Sequence, residues 1–296
     1  MKVGFVALVG RSNTGKSTLL NALVGTKVAI TTPKPQTTRQ AIQGVLHGAE
    51  GQIIFVDTPG IFRKRRDAVT NRMNAAAKGA LEDVDLVLYV VDPTRAIGEE
   101  EEDILKLIAD VKSRKLLVIN KIDEPRPRYL EDYRALAPDF DGKVEVSALK
   151  LTHLKSLLKE IYARLPEGEP VYPEHQITNI DNKTWYGELI REKVFMALYQ
   201  EVPYTIAVEV DEIEMRPSKG GRVKPDGHAA GNEILYIKAR ILTDSDQHKR
   251  MIIGAGGMMI RKIGMNVRKE LEHIQGKKAF LDLEVVTDPH WPERMQ

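Results

Sequence analysis

The chain contains no cysteine, which excludes disulfides, thiolate catalysis and zinc–thiolate sites. It also lacks any run of about 18 apolar residues, so nothing in it reads as a bilayer span. The apolar start, MKVGFVALVGRSNTGK, is too short for a secretory signal core plus cleavage site, and it runs straight into a glycine-rich motif. A dominant charge is missing as well. Lys and Arg number 44 against 42 Asp and Glu, a net charge of +2, so global charge announces no polyanionic partner. The seven histidines are scattered without metal-ligand spacing, and there is no internal repeat or low-complexity tract.

What is present is a globular composition, 42% hydrophobic and 29% charged over 296 residues, long enough for two domains. Continuous apolar strands at 3–9, 53–57, 86–91 and 115–119, with a further strand at 143–146, alternate with helical patterns at 16–24, 68–82, 99–112 and 151–164. That alternation predicts an α/β domain with a mostly parallel sheet covered on both faces. Three prolines and a glycine within residues 166–173 end this regime. The predicted organisation is 1–170 for the first domain, 171–180 as linker and 181–296 for the second. In the second half an amphipathic helix at 185–199 precedes alternating strands at 204–213 and 233–242, with a polar hairpin tip between them. Helices at 245–253 and 258–272 flank a glycine loop, and a strand at 279–286 follows. The predicted order is α-β-β-α-loop-α-β.

Gly10-Arg11-Ser12-Asn13-Thr14-Gly15-Lys16-Ser17 fits G-x-x-x-x-G-K-[ST] between an apolar strand and a helix. The glycines let backbone N–H groups converge on an anion, and the helix adds its positive end. The phosphate-binding residues expected are therefore Gly10, Ser12, Asn13, Thr14, Gly15, Lys16, Ser17 and Thr18. Lys16 would lie between the β- and γ-phosphates, and the Ser17 hydroxyl would ligate Mg²⁺. Asn120-Lys121-Ile122-Asp123, at the end of the 115–119 strand, chooses the base. An ionised Asp123 accepts guanine N1–H and the 2-amino group together, whereas adenine would leave it unpaired. Ser147 and Ala148 are positioned for a backbone N–H to guanine O6. In Asp57-Thr58-Pro59-Gly60, Asp57 can hold Mg²⁺ through water and the Gly60 N–H can sense a γ-phosphate. One threonine among Thr31, Thr32, Thr37 and Thr38 would complete the magnesium shell; spacing does not choose among them.

Taken in order, GRSNTGKS, PQTTR, DTPG, NKID and SA resemble the translation-factor class of GTPases, and the TTR form resembles the Era branch. The resemblance covers the entire chain, because Era-like proteins append a KH domain. It nominates Thr38 as the magnesium ligand, and with Lys16 and Gly60 as a catalytic group. It implies GTP and GDP with Mg²⁺ as ligands, and single-stranded RNA at the 3′ end of 16S ribosomal RNA as target, in assembly of the small ribosomal subunit; no DNA is expected. Asn13 matches the position where related GTPases coordinate K⁺; the plain alternative is an asparagine suited to a turn. Ile61 departs from the glutamine that many GTPases place after D-x-x-G, so unassisted hydrolysis is expected to be slow.

Gly254-Ala255-Gly256-Gly257 joins two helices in the layout of an α+β type II KH domain, where such a loop clamps nucleic-acid backbone. Ile253, Gly254, Ala255, Gly256, Gly257, Met258, Arg261 and Lys262 are the RNA-binding candidates, with Ile252, Ile253, Ile260 and Ile263 supplying groove and core. Residues 249–278 carry eight basic residues against two acidic ones, a concentrated patch that suits a polyanion. The same patch would serve anionic lipids, so a second expectation is a GTPase whose C-terminal domain binds protein or peripherally contacts the inner membrane surface. A third is a binding module whose nucleotide is structural. The acidic run Glu99–Asp103 reads as charge favoured at a helix start. The basic run Arg63–Arg66 reads as a solvated loop or an RNA contact. The location expected is the cytoplasm.

Overall fold

The computed structural model describes residues 1–32, 42–58, 79–198, 205–217 and 233–291. The chain divides into two compact units, Met1–Ile180 and Asp181–Gln296.

The first unit is a six-stranded sheet in the order β2-β3-β1-β4-β5-β6. Its strands are β1 (Lys2–Val9), β2 (Ile42–Gly48), β3 (Gly51–Asp57), β4 (Leu86–Val91), β5 (Arg114–Ile119) and β6 (Lys143–Glu145). All neighbours are parallel except β2 and β3, an antiparallel hairpin closed at Gly48 and Gly51. Strands β3 and β4 are buried throughout, as expected where helices cover both faces of a parallel sheet. Helix α1 (Lys16–Val24) lays Leu19, Leu20 and Leu23 into one core with Val6, Leu8 and Phe55. Each such buried side chain contributes roughly 2 kcal/mol of transfer free energy. On the other face, α2 (Glu99–Ala109) buries Ile104 and Ile108 against Tyr89 and Ile119. A short helix, α3 (Leu130–Arg134), was not anticipated in its proline- and charge-rich surroundings; α4 (Leu154–Tyr162) completes the unit.

The carboxyl ends of β1, β3 and β5 lie along one edge of the sheet, with β4 between β1 and β5, the place where ligands bind open α/β sheets. Residues 68–78 of the 68–82 helical pattern lie outside the described residues. Residues 171–180 are stitched to β2 and β3 instead of hanging free. Val45 N–H donates to Ile177 O at 2.9 Å, the Gln52 amide donates to Tyr172 O at 2.7 Å, and Gly44 pairs with Thr178. Gln52 is 2% exposed, so its amide had to be met from this segment.

The second unit follows the predicted order. Helix α5 (Asn182–Ala197) is capped by Asp181, whose carboxylate accepts from Thr184 N–H. Strands β7 (Ile206–Pro217), β8 (Glu233–Thr243) and β9 (Ala279–Thr287) form a sheet in that order, β7 antiparallel and β9 parallel to β8. Helices α6 (Asp246–Ile253) and α7 (Met258–Gln275) cover one face together with α5. Ile252, Ile263, Val267 and Leu271 are fully buried there with Leu189, Val194 and Phe195. Most of the 216–231 hairpin tip lies outside the described residues. Among the described residues, no helix is long and apolar enough to cross a membrane.

Candidate nucleotide and RNA sites

The Gly10–Ser17 loop leaves β1 under tight steric limits. A Cβ on Gly10 would stand 2.2 Å from Val90 O, and one on Gly15 would stand 2.3 Å from the Asn120 amide nitrogen. Gly15 adopts φ 95° and Asn13 φ 63°, conformations that glycine and asparagine accept most readily. Lys16, buried where α1 begins, donates to Gly10 O and Arg11 O, each at 2.9 Å. Burial lowers its pKa from 10.5 to about 8, with the Asp57 carboxylate opposing the shift.

Ser17 Oγ donates to Asp57 Oδ2 at 2.5 Å, so the two residues expected to serve a magnesium ion are in contact. A hydroxyl and a carboxylate are hard oxygen donors of the kind Mg²⁺ takes, with phosphate oxygens and water completing its shell. The residues present therefore fit the ion. Thr38, Gly60 and Ile61 lie outside the described residues, as do Arg63–Arg66.

The base-reading residues converge on the same loop. The Asn120 side chain donates to Thr14 O at 2.9 Å and accepts from Ala148 N–H at 3.0 Å. One buried amide thus braces the phosphate loop against the loop after β6. Ser147 Oγ donates to Asp123 Oδ1 at 2.5 Å and accepts from Lys150 N–H at 2.9 Å, which fixes the carboxylate's orientation. The Lys121 ammonium, with no partner foreseen from sequence, meets Asp92 Oδ2 at 2.6 Å. Burial alone would raise Asp92, but Lys121 and Thr94 outweigh it and hold the carboxyl below its usual range. Asn13, Gly15, Thr18, Thr31, Thr32 and Lys121 line a cavity of about 390 Å³, within the range of small-molecule sites.

Sequence reasoning missed the support behind the loop. Arg11 Nη1 meets both Glu101 carboxylate oxygens at 2.7 Å, Arg11 Nε lies 3.1 Å from Glu100, and Arg95 donates to Ser12 O at 3.1 Å. Burial and then Glu101 push the Tyr133 hydroxyl well above its usual range, so it remains a donor to Glu101. A signal existed. Glu101, Ile104 and Ile108 share the buried stripe of α2, the spacing of an inward face.

In the second unit Gly254, Gly256 and Gly257 have φ of 73°, 56° and 75°. These values explain three glycines in four positions. The loop ends at the N-terminus of α7, whose first amides lack intrahelical acceptors. Ala255 and Gly256 are exposed, Met258 is 64% exposed, and Arg261 and Lys262 are exposed on the first turns. Ile253 and Ile260 are half-buried beside the loop, while Ile252 and Ile263 belong wholly to the core. The four isoleucines therefore split, two for a groove wall and two for the interior.

Comparison with known proteins agrees with both halves. Residues 5–121 match the 50S ribosome-binding GTPase family and residues 201–290 the KH domain family. The chain is 39% identical to GTPase Era of Halothermothrix orenii, over 99% of this chain and 95% of that protein. It is 40% identical to GTPase Era of Aquifex aeolicus, over 99% and 96%. A crystal structure of Era with MgGDPNP and nucleotides 1506–1542 of 16S ribosomal RNA superimposes with a TM-score of 0.88 at 38% identity, covering 99% of this chain and 96% of that one. A point variant of Aquifex aeolicus Era bound to GDP and AlF₄⁻ gives 0.87 at 40% identity, with the same coverage. With a GTPase unit and a KH unit each in place along its full length, the chain belongs to the Era family of GTPases.

Proposed function

We propose that the chain is a GTP-driven switch that clamps single-stranded RNA from the 3′ end of 16S ribosomal RNA while the small ribosomal subunit is assembled. The observation that carries the RNA half is the exposed loop of three positive-φ glycines, set against Arg261 and Lys262 at a helix start. Such a loop brings bare backbone amides to phosphates, with Ile253 and Ile260 offering an apolar wall to bases. The Era bound to nucleotides of 16S ribosomal RNA supports the choice of target.

In the nucleotide half, Lys16 supplies a point charge to the β- and γ-phosphates and the amides of residues 12–18 cradle them. Ser17 and Asp57 would hold Mg²⁺ with Thr38, and Gly60 would report the γ-phosphate. Bound Mg²⁺ supplies charge neutralisation across the β- and γ-oxygens. Asp123, oriented by Ser147, reads guanine, and Asn120 keeps that loop in register with the phosphate loop. The Asn13 side chain is the K⁺ candidate. The domain division proposed remains 1–170 and 181–296, with 171–180 between them.

Competition binding tests the RNA assignment. A labelled RNA of the 16S 3′-end sequence is bound in the presence of GTP analogue, then challenged with the same sequence as DNA and with anionic phospholipid vesicles. The proposal expects the RNA to resist both competitors. Displacement by vesicles as readily as by unlabelled RNA would instead support a cytoplasmic protein peripherally attached to the membrane.

A further inference from the structure

The acidic run at the start of α2 does more than complement a helix dipole. Four glutamates occupy its first turn, yet one differs from the rest: Glu101 is 2% exposed. Burying a carboxylate is costly unless charge and hydrogen bonds meet it. Here both carboxylate oxygens face Arg11 Nη1 at 2.7 Å, and the Tyr133 hydroxyl adds a contact at 3.3 Å. Arg11 is the second residue of the phosphate loop, and its Nη1 also reaches Ala96 O at 3.3 Å. Its own carbonyl accepts from Thr14 Oγ1 at 3.1 Å and from Lys16 Nζ at 2.9 Å. The side chain of Arg11 is thus tied to α2, while its backbone is tied to two further residues of the loop. A shift of Arg11 is a shift of those partners.

We infer that Glu101 is a positioning residue for nucleotide binding: by pinning Arg11 it fixes the phosphate loop in the shape that receives a β-phosphate. The inference rests on the reading of residues 10–18 as the phosphate site. It assigns Glu101 no contact with the nucleotide. Glu100, on the same turn, adds a second contact to Arg11 Nε at 3.1 Å, whereas Glu102 is exposed.

The geometry makes the effect selective. Among the described residues, Asp123, which reads the base, is oriented by Ser147 alone, whereas Ala148 is joined through Asn120 to Thr14 of the phosphate loop. Loosening Arg11 therefore weakens recognition of the diphosphate more than recognition of the base, because the Ser147–Asp123 pair does not depend on it. The test compares GDP with GMP, which lacks the β-phosphate, by displacement of a fluorescent GDP analogue. Glu101→Ala and Arg11→Ala should each weaken GDP on the order of tenfold, the scale on which positioning groups act. GMP affinity should fall much less. Glu101→Gln, which keeps the packing and a hydrogen-bond acceptor, should lose less. The double alanine variant should be no worse than Arg11→Ala alone, because that substitution already removes the tie to Glu101 along with those to Glu100 and Ala96.

Equal losses for GDP and GMP would overturn the inference in favour of general damage to the fold. Multiplying losses in the double variant would overturn it too, and so would unaltered GDP affinity. If the unmodified chain itself bound GDP no better than GMP, the phosphate-loop reading would fail instead, a separate result.

Discussion

The buried ammonium of Lys16 makes nucleotide affinity depend on pH in a defined direction. Its pKa falls from 10.5 to about 8 through burial, against the pull of Asp57. That drop amounts to about 3.4 kcal/mol at 1.36 kcal/mol per unit, and the group is wholly buried, so solvent screening takes little from it. Between pH 8 and 10.5 the unfolded chain holds this proton more tightly than the folded chain does. Stability of the nucleotide-free protein should therefore rise with pH across that window, and the penalty is present in full below it. A bound diphosphate brings negative charge to the ammonium and raises its pKa again. Binding must then take up a proton: about half a proton at pH 8, and about a tenth at pH 7, for a group titrating near 8. Calorimetry of GDP binding in buffers of different ionisation enthalpy reads this uptake directly. Apparent enthalpies that do not vary with buffer at pH 8 would refute the reasoning, as would GDP affinity that is flat from pH 7.5 to 9.

Three substitutions probe other parts of the account. Asp123→Asn should move base preference from guanine towards xanthine nucleotides, and unaltered discrimination in a nucleotide competition assay would remove Asp123 from that role. Gly256→Asp places a side chain where a Cβ meets nothing within 4 Å, at a φ that aspartate tolerates. It should weaken RNA binding at least tenfold on the scale of backbone clamping while GTP affinity holds, so a parallel loss of both would count against a dedicated clamp. Ile263→Ala empties a fully buried position and should cost the second unit 2–5 kcal/mol, roughly the range for large-to-small core changes. Denaturant unfolding that showed less than about 1 kcal/mol would mean the site collapses or was never tightly packed.

What the sequence revealed follows from how local each signal is. The phosphate loop is legible because its glycines, lysine and serine act through consecutive residues, and the fold keeps them together as read. The Asn120–Asp123 run and Ser147-Ala148 are legible as motifs, but their mutual bracing is not, since Asn120 reaches Thr14 across 106 positions. Glu101 was hidden in a row of identical acids, and only the three- and four-residue spacing to Ile104 and Ile108 betrays which one turns inward. Strand β2 was not anticipated, because Ile42–Gly48 mixes polar and apolar residues in the way an edge strand does. The segment 171–180 has the composition of a linker, yet the buried amide of Gln52 draws it onto the sheet. The glycine loop at 254–257 was legible in the sequence, but the positive φ of Gly254, Gly256 and Gly257 comes from the fold.

The measurement that most directly tests the central claim is crosslinking of the protein to total cellular RNA, once with a non-hydrolysable GTP analogue and once with GDP, followed by sequencing. The account predicts enrichment of one segment at the 3′ end of 16S ribosomal RNA in the GTP-analogue sample. Absence of any specific RNA from both samples would contradict it and return the Gly254–Gly257 loop to being a joint between two helices.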